Sequence, residues 1–316
     1  MPTQSIQTIE VLLINQMGVK GLQSFIRKYS KHRTFQELLL STNQRLRIGI
    51  DISFYIYKWQ GNTEKIVEFI KQLQGNQHHV LLVFDGRAED GKQWEAQRRR
   101  DVREQEMKSA QAILDLLETE ELTDDQRFML EKRAEEHQRK GWSLTRDIRH
   151  AIKERFYSEK IPMVKAKGEA DGLLATASSR GDLDIVISGD MDLLAMGTRS
   201  LWTPIEDGYQ FREYTRDAIL EELHLTDWQF RSMCAICFTE ASQEQNQYDI
   251  HQAYQMMKVF KSLDRLRQKY PNYLQVWPEE ATHMFYRPTD KIEPWIREDQ
   301  LHIYKAFSNY EPMPYE

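Results

Sequence analysis

The stretch that decides the fold is Ile185-Val186-Ile187-Ser188-Gly189-Asp190-Met191-Asp192. β-favouring apolar residues run into a glycine and two acids, the pattern of a buried parallel strand that ends at its carboxyl edge. Open α/β sheets keep their chemistry on that edge. Two carboxylates one residue apart there repel unless a cation lies between them, so the stretch predicts a divalent-metal site. The competing reading is a solvated turn or helix cap. Repetition favours the site: Arg47-Ile48-Gly49-Ile50-Asp51 and Val80-Leu81-Leu82-Val83-Phe84-Asp85-Gly86 close in the same way. Three strands ending in Asp predict one acidic rim.

Upstream of the deciding stretch, Ile161 to Ala166 reads as a short strand. It leads to Gly168-Glu169-Ala170-Asp171, where a helix begins with both acids in its first turn. Acids there are ordinary dipole partners, so alone they carry no chemistry. Downstream, Ser200 to Ile205 reads as a strand before an Asp207-Gly208 turn. Strand and helix alternate, which predicts a doubly wound parallel sheet. Nearer the amino end, apolar spacing from Leu22 to Leu40 predicts one amphipathic helix and a second short one, and Thr63 to Leu73 another. Tyr55 and Trp59 read as core aromatics.

Between 91 and 161 there is no proline and one internal glycine, Gly141, while charged residues dominate. This predicts a long helical excursion with a break near Gly141-Trp142-Ser143, Ser143 capping its second part. Beyond Gly208 the chain reads mainly as helices: 217–223, one capped by Thr226-Asp227 running through Cys237, and 250 to about 270.

Charged residues at 29% and a net charge of −6 fit a globular chain without a basic coat, so any nucleic-acid contact must be local. Cys234 and Cys237 lack further ligands at zinc spacing and read as helix-borne thiols in a reducing compartment. No apolar run is long enough to span a bilayer, and no signal peptide opens the chain. The expected setting is intracellular and soluble, in nucleus or cytoplasm, a viral replication site included.

Five segments stand out: Met-Gly-Val-Lys-Gly-Leu from Met17, Asp-Ile-Ser-Phe-Tyr-Ile-Tyr from Asp51, Val-Phe-Asp-Gly from Val83, Gly-Glu-Ala-Asp from Gly168 and Ser-Gly-Asp-Met-Asp from Ser188. Together they resemble the flap endonuclease family of structure-specific 5′ nucleases, the xeroderma pigmentosum G and flap endonuclease superfamily, in a divergent, viral-type form. The resemblance implies a parallel-sheet, PIN-like nuclease core over 17–225 with a helical arch at about 91–161, and a C-terminal helical region over 226–316. It also implies a two-metal phosphodiesterase using Mg²⁺ or Mn²⁺, acting as a monomer on DNA at single-strand/double-strand junctions in replication, repair or recombination.

By the same resemblance Asp85, Glu169, Asp171 and Asp190 ligate metal directly, while Asp51, Asp192 and Glu240 orient water or complete an outer shell. Lys92 and Arg99, two helical turns apart and so on one face, stabilise the scissile phosphate. Tyr57 stacks on a base. Arg100, Arg103 and Lys108 contact the backbone in the arch, and Gly18 lies near the active site when translation starts at Met17, leaving 1–16 as a leader. Two departures stand out. Residues 238–251 contain no glycine and no Lys or Arg, so the helix–two-turn–helix that grips duplex DNA is degenerate. No sliding-clamp peptide is recognisable either. RNA as substrate, and a catalytically silent scaffold, remain the alternatives.

Overall fold

The computed structural model describes residues 19–40, 45–86, 93–166, 168–237, 248–271 and 293–294. β2 (Arg47–Asp51), β3 (His79–Phe84), β4 (Met163–Lys165), β5 (Ile185–Ile187) and β6 (Ser200–Ile205) form the parallel centre of one sheet. β1 (Lys31–Thr34), β7 (Gln210–Thr215) and β8 (Glu293–Pro294) flank it in the order β1-β7-β6-β5-β2-β3-β4-β8.

The parallel centre matches the predicted parallel-sheet core, and the β1–β7, β6–β7 and β4–β8 pairs add antiparallel flanks that the strand pattern did not announce. β7 was read as neither strand nor helix. Its partly buried residues give no clean alternation until β6 pairs with it across the Asp207-Gly208 turn. β1 lies inside the span read as helix, because Lys31-His32-Arg33-Thr34 has no apolar stripe and becomes a strand by pairing with β7.

Period-two alternation sends the strand side chains to two cores. Val80, Leu82 and Phe84 join Ile48, Ile50 and Ile187 on one face, and Leu81 and Val83 join Val186 and Leu201 on the other. The first face is covered by α2 (Phe35–Leu40), α3 (Ile52–Lys58), α4 (Thr63–Gly75) and α7 (Arg146–Ser158). The second is covered by α1 (Leu22–Ile26), α8 (Ala170–Arg180), α9 (Asp192–Met196), α10 (Arg216–Leu223), α11 (Asp227–Cys237), α12 (Ile250–Phe260) and α13 (Leu263–Lys269). Tyr55 and Trp59 are core residues, 0% and 8% exposed, and Cys234 and Cys237 are buried free thiols. Among the described residues no helix is long and apolar enough to cross a membrane.

Gly49 shows how tightly the second face packs. A Cβ added there would lie 2.6 Å from Leu183 and 2.7 Å from Leu174, both buried. Gly49→Ala is expected to cost about 1–3 kcal/mol by overpacking. Chemical denaturation should show a lower midpoint at unchanged slope.

The excursion is three helices rather than two: α5 (Gln93–Thr119), α6 (Asp124–Gly141) and α7. The extra break was missed because it carries no Gly or Pro. Thr123 makes it by capping Gln126 in a reciprocal box. Thr145, not Ser143, caps α7. α5 and α6 pack as a hairpin through Ala110 and Ala134, with His137 Nδ1 2.6 Å from Glu106. Gly141 ends α6 where a Cβ would strike the Met107 side chain at 2.6 Å. The helix read over 250–270 is likewise two, divided at Lys261 (φ 66°) and restarted by the Ser262 cap.

Candidate active site

Adjacent strands bring the acids to one edge. Asp51 closes β2, Asp85 follows β3 by one residue, and Asp190 lies three residues past β5, with β5, β2 and β3 side by side. α8 starts against the same edge, with Glu169 at its N-cap and Asp171 as its second residue. The exit from β3 is tied to the entry of α8 by Gly86 N–H donating to Gly168 O at 2.6 Å, and Ala170 N–H donates to Asp85 Oδ1 at 3.0 Å.

Two serines fix the neighbouring carboxylates. Ser53 Oγ donates to Asp85 Oδ2 at 2.8 Å while its N–H donates to Asp51 Oδ1 at 3.0 Å. Ser188 Oγ donates to Asp51 Oδ2 at 3.1 Å and accepts from Asp190 N–H at 3.2 Å. Sequence reading passed over both hydroxyls, although Ser53 stands two residues after an acid, where an Asx cap falls. Gly189 is required because a Cβ there would sit 2.8 Å from the Phe54 ring.

The electrostatics reflect like charges crowded in partial burial. Asp51 is pushed up to about 7, first by burial and then by Asp85 and Asp190, against the lowering effect of its serine hydrogen bonds. Asp171 is raised well above the usual carboxylate range by burial and by Asp190, Asp51, Asp85 and Glu169. Its Oδ1 is buried without a hydrogen-bond partner among the described residues. Among those residues no three carboxylates close on one point as the ligands of a held ion do. Hard carboxylate oxygens, one of them orphaned, with Asp51 and Asp171 raised by their neighbours, suit a hard divalent cation such as Mg²⁺ or Mn²⁺.

Asp192 is engaged differently. It is 6% exposed, its Oδ1 accepts from Val19 N–H at 2.8 Å, and its own N–H donates to Asp190 Oδ1 at 2.8 Å. It thereby fastens the start of the described chain to the acidic loop. Tyr57 is 39% exposed, edge-on to Trp142 at 5.5 Å, with the Arg103 guanidinium 5.1 Å from its ring centre. Trp142, unremarked in the sequence except as a break, sets that ring. Arg99 is partly exposed and Arg100 exposed on α5, and Lys108 pairs with Glu104 at 2.7 Å. Gly18, Lys92 and Glu240 lie outside the described residues.

A parallel sheet with five acids on its carboxyl edge and a helical hairpin beside them defines an α/β nuclease of the PIN-like kind. The XPG I-region model matches residues 160–240, which hold Glu169, Asp171, Asp190 and Asp192. Flap endonuclease 1 of Chlamydomonas reinhardtii is 24% identical over 90% of this chain and 77% of its own length. The Caenorhabditis briggsae enzyme is 26% identical over 86% and 75%. Among solved structures, human GEN1 in complex with Holliday junction DNA overlays with a TM-score of 0.60 at 14% identity, covering 92% of this chain and 72% of that one. Flap endonuclease-1 from Methanococcus jannaschii gives 0.53 at 15%, covering 92% and 98%. The XPG I-region match over 160–240, the flap endonuclease 1 relatives and the shared fold together support a place in the XPG and flap endonuclease superfamily.

Proposed function

We propose that this protein is a divalent-cation-dependent 5′ nuclease that hydrolyses phosphodiester bonds in branched DNA, as flap endonuclease and 5′–3′ exonuclease. The observation that carries the reading is the convergence of Asp51, Asp85, Glu169, Asp171 and Asp190 on one sheet edge, where burial and mutual charge raise Asp51 and Asp171. Asp85, Glu169, Asp171 and Asp190 would hold two ions, with Asp51 and Glu240 completing the outer shell. Such ions supply an activated water and neutralise charge on the leaving oxygen.

The chain's own groups do the positioning. Ser53 and Ser188 hold Asp85 and Asp51 in orientation. Asp192 keeps the Val19 backbone beside the acidic loop. Lys92 and Arg99 present cationic groups to the scissile phosphate, and Arg100, Arg103 and Lys108 follow the backbone along α5. Tyr57 stacks on the base next to the cut, a contact worth about 1–3 kcal/mol. The enzyme acts as a monomer, as a member of the replication, repair or recombination machinery.

The test is a 5′-labelled flap duplex incubated with Mg²⁺. The expected result is cutting near the junction by wild type and none by Asp85→Ala, whose salt-sensitive DNA binding persists. A matched RNA flap cut in preference would move the substrate to RNA. No cutting of flap, nick or single strand by wild type would leave a scaffold.

A further inference from the structure

The acidic edge changes sign one strand further on. Moving across the sheet from β5 through β2 and β3 to β4, the residues at the carboxyl ends are Asp190, Asp51, Asp85 and then Lys165. α7 leads into β4, so its first half stands over this same edge. Arg149 and Lys153 lie one turn apart on it.

Lys153 Nζ sits 5.0 Å from the centre of the Phe84 ring, and Phe84 is both the neighbour of Asp85 and the register partner of Lys165. The Lys153 ammonium is lowered to about 8, by burial first and then by the charges of Arg149 and Lys165. Ammonium groups shifted by burial and by neighbouring charge cluster at functional sites. α7 also carries Asp147 and Glu154, and the backbone of Glu293 pairs with Lys165.

We propose that Arg149, Lys153 and Lys165 form a phosphate-binding strip on the β4 side of the acidic pocket, holding the backbone of the nucleic-acid strand next to the bond to be cut. The identity of the ligand rests on the nuclease reading above. The geometry explains why anion binding belongs here: a polyanion crossing the acidic rim needs compensating charge at its border, and Lys153 offers an ammonium already stripped of part of its water over an aromatic face. Contacts of this kind fix register without reading bases.

The experiment measures binding of a fluorescent 5′-flap DNA to the full chain in chelator across a salt series. The variants are Lys153→Gln/Lys165→Gln, Lys165→Gln alone, and Lys71→Gln, which removes a charge at the far end of α4 where it pairs with Glu159. The double variant should flatten the slope of log K against log salt by about 1.4–1.8, and Lys165→Gln by about 0.7–0.9, with affinity down about tenfold for the double. Lys71→Gln should leave the slope unchanged. Lys153→Arg/Lys165→Arg should restore it.

An unchanged slope in Lys165→Gln, or an equal fall in Lys71→Gln, overturns the strip. Cutting is scored in parallel with Mg²⁺. Wild-type cutting with an unchanged slope sinks the strip alone, whereas a shifted slope without any cutting sinks the nuclease reading and leaves the strip standing.

Discussion

Asp171→Asn is expected to lower flap cutting by about 10³-fold or more and, in chelator, to raise the melting temperature. The first effect follows if Asp171 is one of the groups that hold the ions. Charge stabilisation by a bound metal is worth several kcal/mol, and about 4 kcal/mol corresponds to three decades in rate. The second follows from the geometry alone. Asp171 is partly buried, its Oδ1 lacks a hydrogen-bond partner among the described residues, and Asp190, Asp51, Asp85 and Glu169 all raise it.

An amide of the same shape keeps the packing and deletes that repulsion, and each kcal/mol relieved moves the midpoint by about 2–4 °C in a domain of this size. Added Mg²⁺ should then stabilise wild type more than the variant. The two effects have opposite sign, which separates a residue kept for chemistry from one kept for folding. A melting temperature that falls in chelator would make Asp171 structural and remove it from the ligand set.

The contrast between what the sequence disclosed and what it hid has a physical origin. β2, β3 and β5 were legible because buried parallel strands are apolar on both faces and end abruptly in polar residues. All three close in Asp, which is why one acidic rim could be expected; that β5, β2 and β3 lie side by side is what the sheet adds. β1 and β7 were not legible, since Lys31 to Thr34 becomes a strand only because β7 lies beside it. The break between α5 and α6 rests on the Thr123–Gln126 box rather than on a helix-breaking residue, so a reading that looked for glycine chose Gly141 alone. The Ser53 and Ser188 bridges, the Asp192 clasp on Val19 and the basic border at Lys153 each join residues far apart in the chain, a relation no local pattern encodes.

In chelator, stability should fall as pH rises from about 4 to about 7, and Mg²⁺ should reverse the trend. Asp51 goes from an ordinary 3.8 to about 7 on folding, and Asp171 moves in the same direction. Below the lower value both states hold the proton and nothing is lost. Between the two values the unfolded chain releases its proton while the folded chain keeps it, so the folded state binds more protons and loses stability with every step up in pH. Above about 7 the folded carboxyl ionises too, and the loss is complete.

For Asp51 the loss amounts to at most about 4 kcal/mol, at about 1.4 kcal/mol per pH unit, trimmed by the solvent that reaches its partly open side chain. The carboxylates titrate as a set, so the transition should be broad. Other groups act differently in the same range. His78 is lowered by burial and so gains stability with rising pH, and Asp184 and Asp227, held down by arginines, lose theirs only in acid.

Comparing melting temperatures with chelator and with Mg²⁺ cancels those contributions if the ion is taken up at the acidic edge, as proposed. A cation binds the ionised set and must displace protons at pH 5, so the gap between the two curves should widen from pH 5 to 8. Asp51→Asn should flatten that widening, since it removes the carboxyl whose ionisation falls within the window. A gap that stays constant with pH would mean that the ion sits elsewhere and that the crowded carboxylates are not what it binds.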